Sequence, residues 1–456
     1  MNELNKHIGR YRWTICSLLF FATTVNYLDR QVLSLLQPLL SEHFNWTNSQ
    51  YANITAAFQF SYAFATLFAG RFIDKLGTKM GYAIAFALWS AAAVIHAFSV
   101  QIGGALAPLF SFFGLAVPVS VVGFMVARLL LGVGESGNFP AAIKTTAEWF
   151  PKVERSFATG IFNSGANIGA IAAPLSVPWM AARFGWEITF VVVGAIGFIW
   201  LFFWARYYDS PKSLLEKNYI SQAEFEHIHS DEGKIEPAAE IVKTSWFKLL
   251  KYRQTWSFAM GKFLTDGVWW FFLFWLPAYL KAKYNLTGTA IMLPLAVLYS
   301  MTMVGSIGGG WFPAYFMKKD IPVYAARMRA MIVIALFPLV VLLAPVLGQY
   351  SYWFPIVIIG VGASAHQAWS ANIYTTVSDM FPKKVVASII GLGTMAGGIG
   401  AVVVSKTGGW LFDYYGSLGR IDTGYALMFV FCAIAYVLAW AVMKMLVPRF
   451  KVIDNL

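Results

Sequence analysis

Four charged residues lie inside apolar stretches of the sequence. Asp29 and Arg30 are neighbours in the segment NYLDRQ, and Arg128 and Glu135 are seven residues apart in ARLLLGVGESGNFP. At about 100° per residue, a spacing of seven places both side chains on one helix face, roughly 10 Å apart along the axis. Asp29 and Arg30 point about 100° apart, so each needs a different partner. Arginine suits a carboxylate ligand, and a carboxylate in a partly dry cavity suits a proton carrier.

The composition indicates what surrounds these charges. Of the 456 residues, 58% are hydrophobic and 12% are charged, and the mean hydropathy is +0.61. These values exclude an ordinary water-soluble globule. Runs of about 20 apolar residues, long enough to cross a hydrocarbon core, predict a polytopic all-α membrane protein. The twelve predicted spans are 13–38, 50–70, 80–100, 120–144, 155–178, 187–208, 255–281, 289–317, 325–347, 351–376, 384–410 and 423–446.

The basic residues predict the orientation. If the N-terminus is cytoplasmic, the loops on the cytoplasmic side carry most of the 34 Lys and Arg residues. Cytoplasmic loops of membrane proteins generally have such an excess of basic residues. The opposite loops carry Arg183, Lys281, Lys283, Lys406 and Arg420. We therefore predict that both termini are cytoplasmic, and that the net charge of +12 reflects topology and not nucleic-acid binding.

A charged soluble stretch divides the predicted spans into two sets of six. The expected division is an N-terminal six-helix half (1–208), a central cytoplasmic loop (209–254) and a C-terminal six-helix half (255–456). The stretch QIGGALAPLFSFFGLAVPVS, between the third and fourth spans, is apolar but rich in Gly and Pro. We expect it to be a re-entrant or interfacial element and do not count it as a span.

The loop after the second span reads GRFIDKLGTK, from Gly70 to Lys79. It resembles the signature G-x-x-x-D-[RK]-x-G-x-[RK] of the major facilitator superfamily, in which two six-helix halves enclose a midplane site. Its glycines suit a tight turn and close helix approach, and Asp74 can pair with basic residues on the cytoplasmic face. The gating or structural residues that this resemblance indicates are Gly70, Asp74, Lys75, Gly77 and Lys79.

Longer stretches sharpen the resemblance: NYLDRQ, ARLLLGVGESGNFPAAIKTTAEWFP, GIFNSGANIGAIAAP, the WWFFLFWLP run and AHQAWSANIYTTVSDMFP. Together they resemble the anion:cation symporter family, and most of all its bacterial hexuronate transporters. The resemblance implies proton-driven uptake of glucuronate and galacturonate across the bacterial inner membrane. It implies a monomeric transporter without enzyme activity, cofactor or metal, whose partners are a sugar acid anion, protons and membrane lipid.

The same resemblance assigns roles to the four buried charges. Asp29 and Glu135 are the implied proton-coupling carboxylates, Arg30 grips the substrate carboxylate, and Arg128 holds Glu135 or gates its proton. A relative that takes aldonates carries Gln where this sequence has Ala166, so the departure favours hexuronate over galactonate.

Recognition of sugar hydroxyls needs paired donors and acceptors, with aromatic rings against the sugar. The substrate-binding candidates are Tyr62, Asn163, Asn167, Trp269, Trp270, His366, Gln367, Trp369, Ser370, Asn372 and Thr394. We expect one of Trp269 and Trp270 to meet the substrate, and His366 is alternatively an interhelical hydrogen bonder. Lys262 and Asp266, at positions i and i+4, are expected to form a structural ion pair or a gate.

Several alternatives remain at this stage. The four charges are alternatively a structural lattice of ion pairs, and sodium is an alternative to the proton. A related transporter of aldonates or sialate, or an organophosphate/phosphate exchanger of the same fold, also fits the sequence. The exchanger needs paired arginines without titration of Asp29 or Glu135. A sensor binds without flux, and an enzyme has little support because no H-E-x-x-H, G-x-S-x-G or P-loop occurs.

Overall fold

A computed structural model describes residues 9–112, 117–230, 246–451 and 453. Within these residues the chain is helical and has no strand. We number the long helices α1 to α12, and each coincides with one of the predicted spans. They are α1 (Tyr11–Phe44), α2 (Asn48–Leu76), α3 (Thr78–Ile95), α4 (Val119–Glu135), α5 (Lys152–Phe184), α6 (Trp186–Tyr207), α7 (Arg253–Tyr284), α8 (Met292–Met317), α9 (Val323–Leu336), α10 (Trp353–Met380), α11 (Lys383–Ser417) and α12 (Ile421–Leu446).

Three of these helices continue beyond their last regular turn. α3 continues through the 3-10 turn His96–Phe98 into the helix Ser99–Phe112. α4 continues into Asn138–Trp149, and α9 continues through Phe337–Leu343 into Ala344–Leu347. Among the described helices, eight are long and apolar enough by length and composition to cross a membrane. The helices outside that group, α1, α2, α5 and α10, carry most of the predicted polar site residues, which lowers their mean hydropathy.

The Gly- and Pro-rich stretch after α3 differs from the prediction. Its described part, up to Phe112, continues α3 as a helix and does not turn back as a re-entrant element would, while residues 113–116 lie outside the described residues. The interfacial alternative stays a prediction. Glycine residues allow the helical extension of α3 to pack on α4, because they let two backbones approach closely. A Cβ at Gly103 would lie 1.8 Å from the Val119 carbonyl oxygen, and one at Gly123 would lie 1.7 Å from that of Ser99. The two glycines therefore hold this extension against α4.

Contacts between helices join the first six to the last six. α2 packs along α11, α1 against α7, and α5 against α8. The α2–α11 contact is close because small residues face each other: a Cβ at Gly398 would lie 2.3 Å from that of Ala63. At Gly409 the corresponding distance to Ala52 is 2.6 Å. These two helices are thus in contact over much of their length.

Polar bonds between the two sets of helices cluster where α2 begins, which we call the Asp413 end. The Asp413 carboxylate accepts hydrogen bonds from the backbone N–H groups of Asn48 and Ser49, both at 2.8 Å, and from the Asn48 side chain at 3.0 Å. Further bonds join Lys281 to Pro38 and Glu42, Tyr51 to Phe274, Lys406 to Asn53, and Gln59 to Ser405. The Asp413 end is therefore closed in this structure.

The central loop is only partly a linker. Its short helices Pro211–Glu216 and Gln222–Ile228 are described, whereas residues 231–245 of the predicted loop lie outside the described residues. Glu224 accepts a hydrogen bond from the Arg12 backbone N–H at 3.0 Å, and the Arg12 Nε donates to Glu154 at 2.9 Å. The described part of the loop is thus fixed to the start of α1 and α5.

Candidate functional site

Asp29 and Arg30 face different parts of the molecule although they are adjacent on α1. Arg30 donates from Nε, at 2.9 Å, and from Nη2, at 2.7 Å, to the same oxygen of Glu135, Oε2. Nη2 also lies 3.3 Å from the Asn26 side-chain oxygen. The Arg30 and Glu135 side chains are 4% and 0% exposed. The prediction that Arg128 holds Glu135 differs from the structure, in which Arg30 is the ion-pair partner.

Four aromatic rings surround the Arg30 guanidinium. Its central carbon lies 5.0 Å from the ring centre of Tyr27, 5.4 Å from Phe58, 4.9 Å from Tyr62 and 5.2 Å from Trp270. Such contacts attract a cation through the negative face of the ring. Three of the rings belong to α1 and α2, but Trp270 belongs to α7. Arg30 therefore lies where the first six helices meet the last six.

Asp29 points away from this junction, toward α3 and α4. It is 3% exposed, and neither carboxylate oxygen has a hydrogen-bond partner among the described residues. Arg128 and Glu135 are the charged groups that interact with it, and the Trp89 indole lies beside it. A charge inside the membrane is costly and by default marks a functional site. The geometry thus isolates one carboxylate in the interior of the first six helices.

Arg128 is also incompletely bonded. Its Nη1 donates to the Arg30 carbonyl oxygen at 3.4 Å, and the guanidinium lies 5.6 Å from the ring centre of Phe58. Its Nε and Nη2 have no partner within the described chain, although the residue is 1% exposed. Arg128 therefore supplies buried positive charge next to Asp29 with donors still free.

Lys262 and Asp266 form a buried ion pair on α7, with 2.7 Å between Nζ and Oδ2. Their side chains are 6% and 13% exposed, and Nζ lies 4.6 Å from the ring centre of Tyr374. Gly397 makes room for the pair, because a Cβ there would lie 2.2 Å from an Asp266 carboxylate oxygen. Lys262 and Asp266 thus pair with each other, whereas Asp29 and Arg128 have no ion-pair partner among the described residues.

The candidates on α10 mainly hold helices together. The His366 Nδ1 lies 2.9 Å from the Tyr436 hydroxyl on α12, and its ring stacks on Trp269 with 5.2 Å between centres. Asn372 donates to the carbonyl oxygens of Gly309, at 2.8 Å, and Ala368, at 2.9 Å. The contact of His366 agrees with its alternative role as an interhelical hydrogen bonder, and substrate binding by His366 or Asn372 stays a prediction.

The two tryptophans of α7 have different neighbours: Trp270 contacts Arg30, whereas Trp269 packs on His366. That one of them meets the substrate stays a prediction. Trp369 is buried against Tyr436. Five further substrate-binding candidates are half-buried or exposed, and none of them is an aromatic residue that contacts Arg30. Half-buried are Asn167, Gln367, Ser370 and Thr394, and Asn163 is exposed.

Sequence reasoning missed three side chains of the site. Tyr27 and Phe58 contact Arg30, and Trp89 lies beside Asp29. Helix spacing offered a signal for two of them, since Tyr27 precedes Arg30 by three residues and Phe58 precedes Tyr62 by four. Trp89 comes from α3, so only the packing of the fold identifies it.

The signature loop lies at the opposite end from Asp413. Asp74 accepts a hydrogen bond from Lys144 at 2.7 Å, and Lys75 is exposed. Gly77 has a φ of +77°, which suits the predicted tight turn. The predicted close approach at Gly70 is wrong, because no atom lies within 4 Å of a Cβ placed there.

The loop also connects to the central segment through Asp209. Asp209 accepts hydrogen bonds from Lys217 at 2.8 Å and Lys79 at 3.4 Å. Burial works to raise the pKa of Asp209, but the hydrogen bonds from Lys217 and the Ser210 N–H outweigh it and hold the pKa at about 2. Lys79 is thus bonded to the first described residues of the central loop.

Comparison with known proteins identifies the family. The model of the Major Facilitator Superfamily matches residues 19–405. The chain belongs to this superfamily. Its members are membrane transporters and not enzymes, so the predicted fold class and the absence of an enzyme activity are confirmed. The orientation of the termini stays a prediction.

Two relatives within this superfamily are similar to the chain over most of its length. It is 30% identical to the hexuronate transporter of Escherichia coli (strain K12), over 96% of this chain and 95% of that one. It is 32% identical to the galacturonate transporter of Dickeya chrysanthemi, over 67% and 83%.

Among solved structures, a bacterial homologue of the human lysosomal transporter Spinster, inward-facing and occupied, has a TM-score of 0.71 at 16% identity, covering 98% of this chain and 100% of its own. A D-xylose-proton symporter has a TM-score of 0.70 at 14% identity, covering 97% and 100%. At these identities the two structures support the fold alone.

Proposed function

We propose that this protein imports hexuronates, such as glucuronate and galacturonate, together with protons across the bacterial inner membrane. The observation that carries the proposal is Arg30, buried among four aromatic rings and held by one oxygen of Glu135, beside the unpartnered Asp29. Similarity to a hexuronate transporter over nearly the whole chain supports the substrate class.

Arg30 explains how proton and substrate binding are linked. Its Nε and Nη2 donors, which form one edge of the guanidinium, both bind Glu135 Oε2, so a substrate carboxylate that uses this edge must compete with Glu135. A proton on Glu135 removes its charge and weakens its hold on Arg30. The guanidinium then binds the substrate carboxylate through two parallel hydrogen bonds. Proton uptake by Glu135 thus favours substrate binding at Arg30.

The rings around Arg30 supply the rest of the pocket. Tyr62 is half-buried at the junction, and its ring centre lies 6.2 Å from that of Trp270. Aromatic faces pack against the apolar face of a sugar ring, and the Tyr hydroxyl offers a hydrogen bond. Trp270 comes from the opposite set of helices, so substrate bound here contacts both sets.

Asp29 adds a second proton site. A uronate that enters with one proton is electroneutral and gains about 1.4 kcal/mol per pH unit. With two protons the complex carries one positive charge and also gains about 2.3 kcal/mol per 100 mV of membrane potential. We infer that more than one proton moves, so that uptake responds to both the pH gradient and the potential.

Closure of the Asp413 end defines the conformational state. With cytoplasmic termini, as the basic residues predict, the Asp413 end is periplasmic and the structure is inward-facing. Rocking of the N-terminal half (1–208) against the C-terminal half (255–456) would then expose Arg30 alternately to each side. The bonds of Asp413, Lys281 and Lys406 must break when the outward-facing state forms.

The test is uptake of labelled glucuronate into proteoliposomes with an inward proton gradient. We expect wild type to accumulate substrate, and Asp29→Asn and Glu135→Gln to lose accumulation because each lacks a proton carrier. One or both should retain exchange of internal for external substrate, which needs no net proton movement. Glu216→Gln, an exposed carboxylate of the central loop, is the matched control and should accumulate normally.

Unlabelled galacturonate, galactonate, sialate and a sugar phosphate serve as competitors. We expect galacturonate to compete best. If accumulation survives both substitutions, Asp29 and Glu135 are structural charges and the proposal fails. Preferred, proton-independent exchange of the sugar phosphate would identify an organophosphate/phosphate exchanger, and binding without flux would identify a sensor.

A further inference from the structure

Unpartnered polar atoms concentrate between α1, α3 and α4. Within the described residues they are both carboxylate oxygens of Asp29, Nε1 of Trp89, Nε2 of His96, Nε and Nη2 of Arg128, and Oε1 of Glu135. The Trp89 indole interacts with Asp29, and the Asn26 side chain with Glu135, but neither contact has normal hydrogen-bond geometry. Each of these residues is at most 3% exposed. A buried polar group without a hydrogen bond costs about 1–3 kcal/mol, so a cluster of them is costly unless something binds there.

Helix spacing brings these groups together. Trp89 and His96 are seven residues apart on α3 and its 3-10 continuation, and Arg128 and Glu135 are seven apart on α4. Each pair therefore shares one helix face, with about 10 Å between its members. Asp29 interacts with Arg128 and Glu135, and His96 interacts with Arg128. The five side chains thus form two layers with Asp29 between them.

Two glycines fix the register of α3 and α4. A Cβ at Gly134 would lie 2.6 Å from the Trp89 backbone nitrogen, and one at Gly123 would lie 1.7 Å from the Ser99 carbonyl oxygen. These two contacts pair residue 134 with 89 and residue 123 with 99 in an antiparallel arrangement. Trp89 is therefore level with Glu135, and His96 is level with Arg128.

His96 is held in one orientation. Its Nδ1 lies 2.7 Å from the Ala92 carbonyl oxygen and must donate to it, which leaves Nε2 as a free acceptor. The ring stacks on Phe190, with 4.9 Å and 12° between the rings, and contacts the edge of Phe124 at 5.9 Å. Phe124 also packs against Phe44, at the end of α1. An aromatic layer therefore separates His96 from the Asp413 end.

We propose that this cluster binds a small group of ordered water molecules, with His96 as a positioning residue, and that Asp29 gains and loses its proton through that water. The cluster supplies the donors and acceptors that water needs: N–H groups of Trp89 and Arg128, and free acceptor atoms of Asp29, Glu135 and His96. Buried water typically makes about three hydrogen bonds to otherwise unpaired polar groups.

The proposed water site adjoins the Arg30 pocket and shares Glu135 with it, Oε2 facing Arg30 and Oε1 the water, and its role rests on the proposed proton symport. The proton is the co-transported one. A hydrated proton gives H⁺ to an Asp29 oxygen, forming one O–H bond as one breaks, and the reverse step returns it to water. The aromatic layer beside His96 closes the site in this conformation, which prevents a leak of protons.

Hydration is tested directly by X-ray hydroxyl-radical footprinting of the transporter in liposomes. Radicals formed from bound water oxidise nearby side chains even when they are buried. Trp275 is the matched reference, since it is also fully buried with a free Nε1. We expect Trp89 to be oxidised about fivefold faster than Trp275 if it contacts several ordered waters. Equal rates would overturn the water site.

Function is tested with His96→Phe, which keeps a ring but removes the acceptor, and His96→Gln, which restores an acceptor. We expect His96→Phe to lower proton-driven uptake about tenfold, the effect of one lost hydrogen bond, with substrate exchange within about twofold of wild type. His96→Gln should regain most of the uptake. Trp89→Phe should resemble His96→Phe, whereas Trp275→Phe should resemble wild type.

The outcomes separate this inference from the proposed function. Equal loss of uptake and exchange in His96→Phe would show a packing role and overturn the inference, as would unchanged uptake. Wild type whose uptake ignores the proton gradient would instead refute the proton symport, and with it the role of the water in proton transfer.

Discussion

The first six and last six helices differ in how completely their buried charges are paired: both contain a buried ion pair, Arg30–Glu135 and Lys262–Asp266, but the first six also contain buried charges without an ion-pair partner among the described residues. In the first six, Asp29 and Arg128 keep free polar atoms at under 5% exposure. In the last six, Lys262 and Asp266 neutralise each other at 2.7 Å. His366 and Asn372 are likewise bonded to neighbouring helices. Within the described residues of α7 to α12, the buried side-chain atoms left unpartnered are the indole nitrogens of Trp275 and Trp369.

This difference indicates a division of labour. A carboxylate that must bind and release a proton needs either no ion-pair partner, like Asp29, or a partner that it can give up, as Glu135 gives up Arg30 in the proposed cycle, because a permanent ion pair would hold it ionised. A scaffold that supports a sugar pocket instead needs its polar groups satisfied, since unsatisfied ones destabilise it. We therefore assign proton chemistry to the first six helices and a preformed wall of the pocket, including Trp270, to the last six.

The largest expected effect compares one carboxylate from each set. Asp266→Asn removes the partner of buried Lys262 and should destabilise the protein by about 3–5 kcal/mol. Asp29→Asn removes an unpartnered carboxylate, so the free energy of unfolding should stay the same or rise. Thermal unfolding in detergent measures both. The double variant Lys262→Met/Asp266→Leu should recover most of the lost stability, because it removes both charges.

Equal destabilisation by Asp266→Asn and Asp29→Asn would end the comparison, since it would mean that Asp29 is as firmly bonded as Asp266. The double variant also separates a structural pair from a gate. Recovered stability with normal uptake would make Lys262 and Asp266 structural, and recovered stability without uptake would make them a gate.

The second prediction concerns Arg30. Arg30→Lys keeps the charge but loses the planar pair of donors and the flat contact with the aromatic rings. We expect apparent affinity for glucuronate to fall about 30- to 100-fold, corresponding to about 2–3 kcal/mol for charge-assisted hydrogen bonds. Competition binding to the purified protein measures it. Arg206→Lys, at the end of α6, is the matched control, and unchanged affinity in Arg30→Lys would place the substrate carboxylate elsewhere.

The sequence predicted the helices well because apolar runs of membrane length leave few alternatives. All twelve predicted spans coincide with helices, and the superfamily signature is confirmed by the family match. Asp29, Arg30, Arg128 and Glu135 stood out because charge is rare in such runs. Their positions along α1 and α4 were therefore readable without the fold.

What the sequence could not supply was the pairing across helices. The spacing along the sequence put Arg128 and Glu135 on one helix face, but it could not show that Arg30, on another helix, is the ion-pair partner of Glu135. It likewise offered His366 and Asn372 as ligands, because a polar residue in a span reads the same whether it faces a cavity or a neighbouring helix. Asp413, whose partners are more than 300 residues away in the chain, carried no local signal at all.

The third prediction tests the junction between the two sets. Asp413→Ala leaves the first N–H groups of α2 without their acceptor and should shift the population toward opening of the Asp413 end by about tenfold, or roughly 1–2 kcal/mol. Spin labels at Asn45→Cys and Gly416→Cys, both exposed, report the distance between the sets. Cys16 and Cys432 are buried and should label poorly.

Asp422→Ala is the matched control for the junction. Asp422 pairs with Lys283 at the same end, but both belong to the last six helices. Its removal should leave the label distance unchanged. Equal opening in Asp413→Ala and Asp422→Ala would mean that surface charge in general keeps the Asp413 end closed. The hydrogen bonds from the start of α2 to Asp413 would then have no specific role.

The smallest effect concerns how the central loop is fixed to the first six helices. Burial works to raise the pKa of Glu154, but hydrogen bonds from Arg12 and His227 outweigh it and hold the pKa below its ordinary value. The ionised form of Glu154 is therefore favoured when the loop is docked. Its contribution to the stability of the docked loop is fully present at pH values above about 4.3, and it is lost as the pH falls through the lowered pKa.

Arg12→Ala should accordingly speed amide hydrogen exchange in residues 222–228 about fivefold at pH 7, the effect of about 1 kcal/mol. Wild type should lose the same protection below about pH 4, after correction for the intrinsic exchange rate. Lys217→Ala, which removes a half-exposed partner of Asp209, should change this segment little. Unchanged exchange in Arg12→Ala would show that the ion pairs of Arg12 do not dock the loop and that apolar packing does.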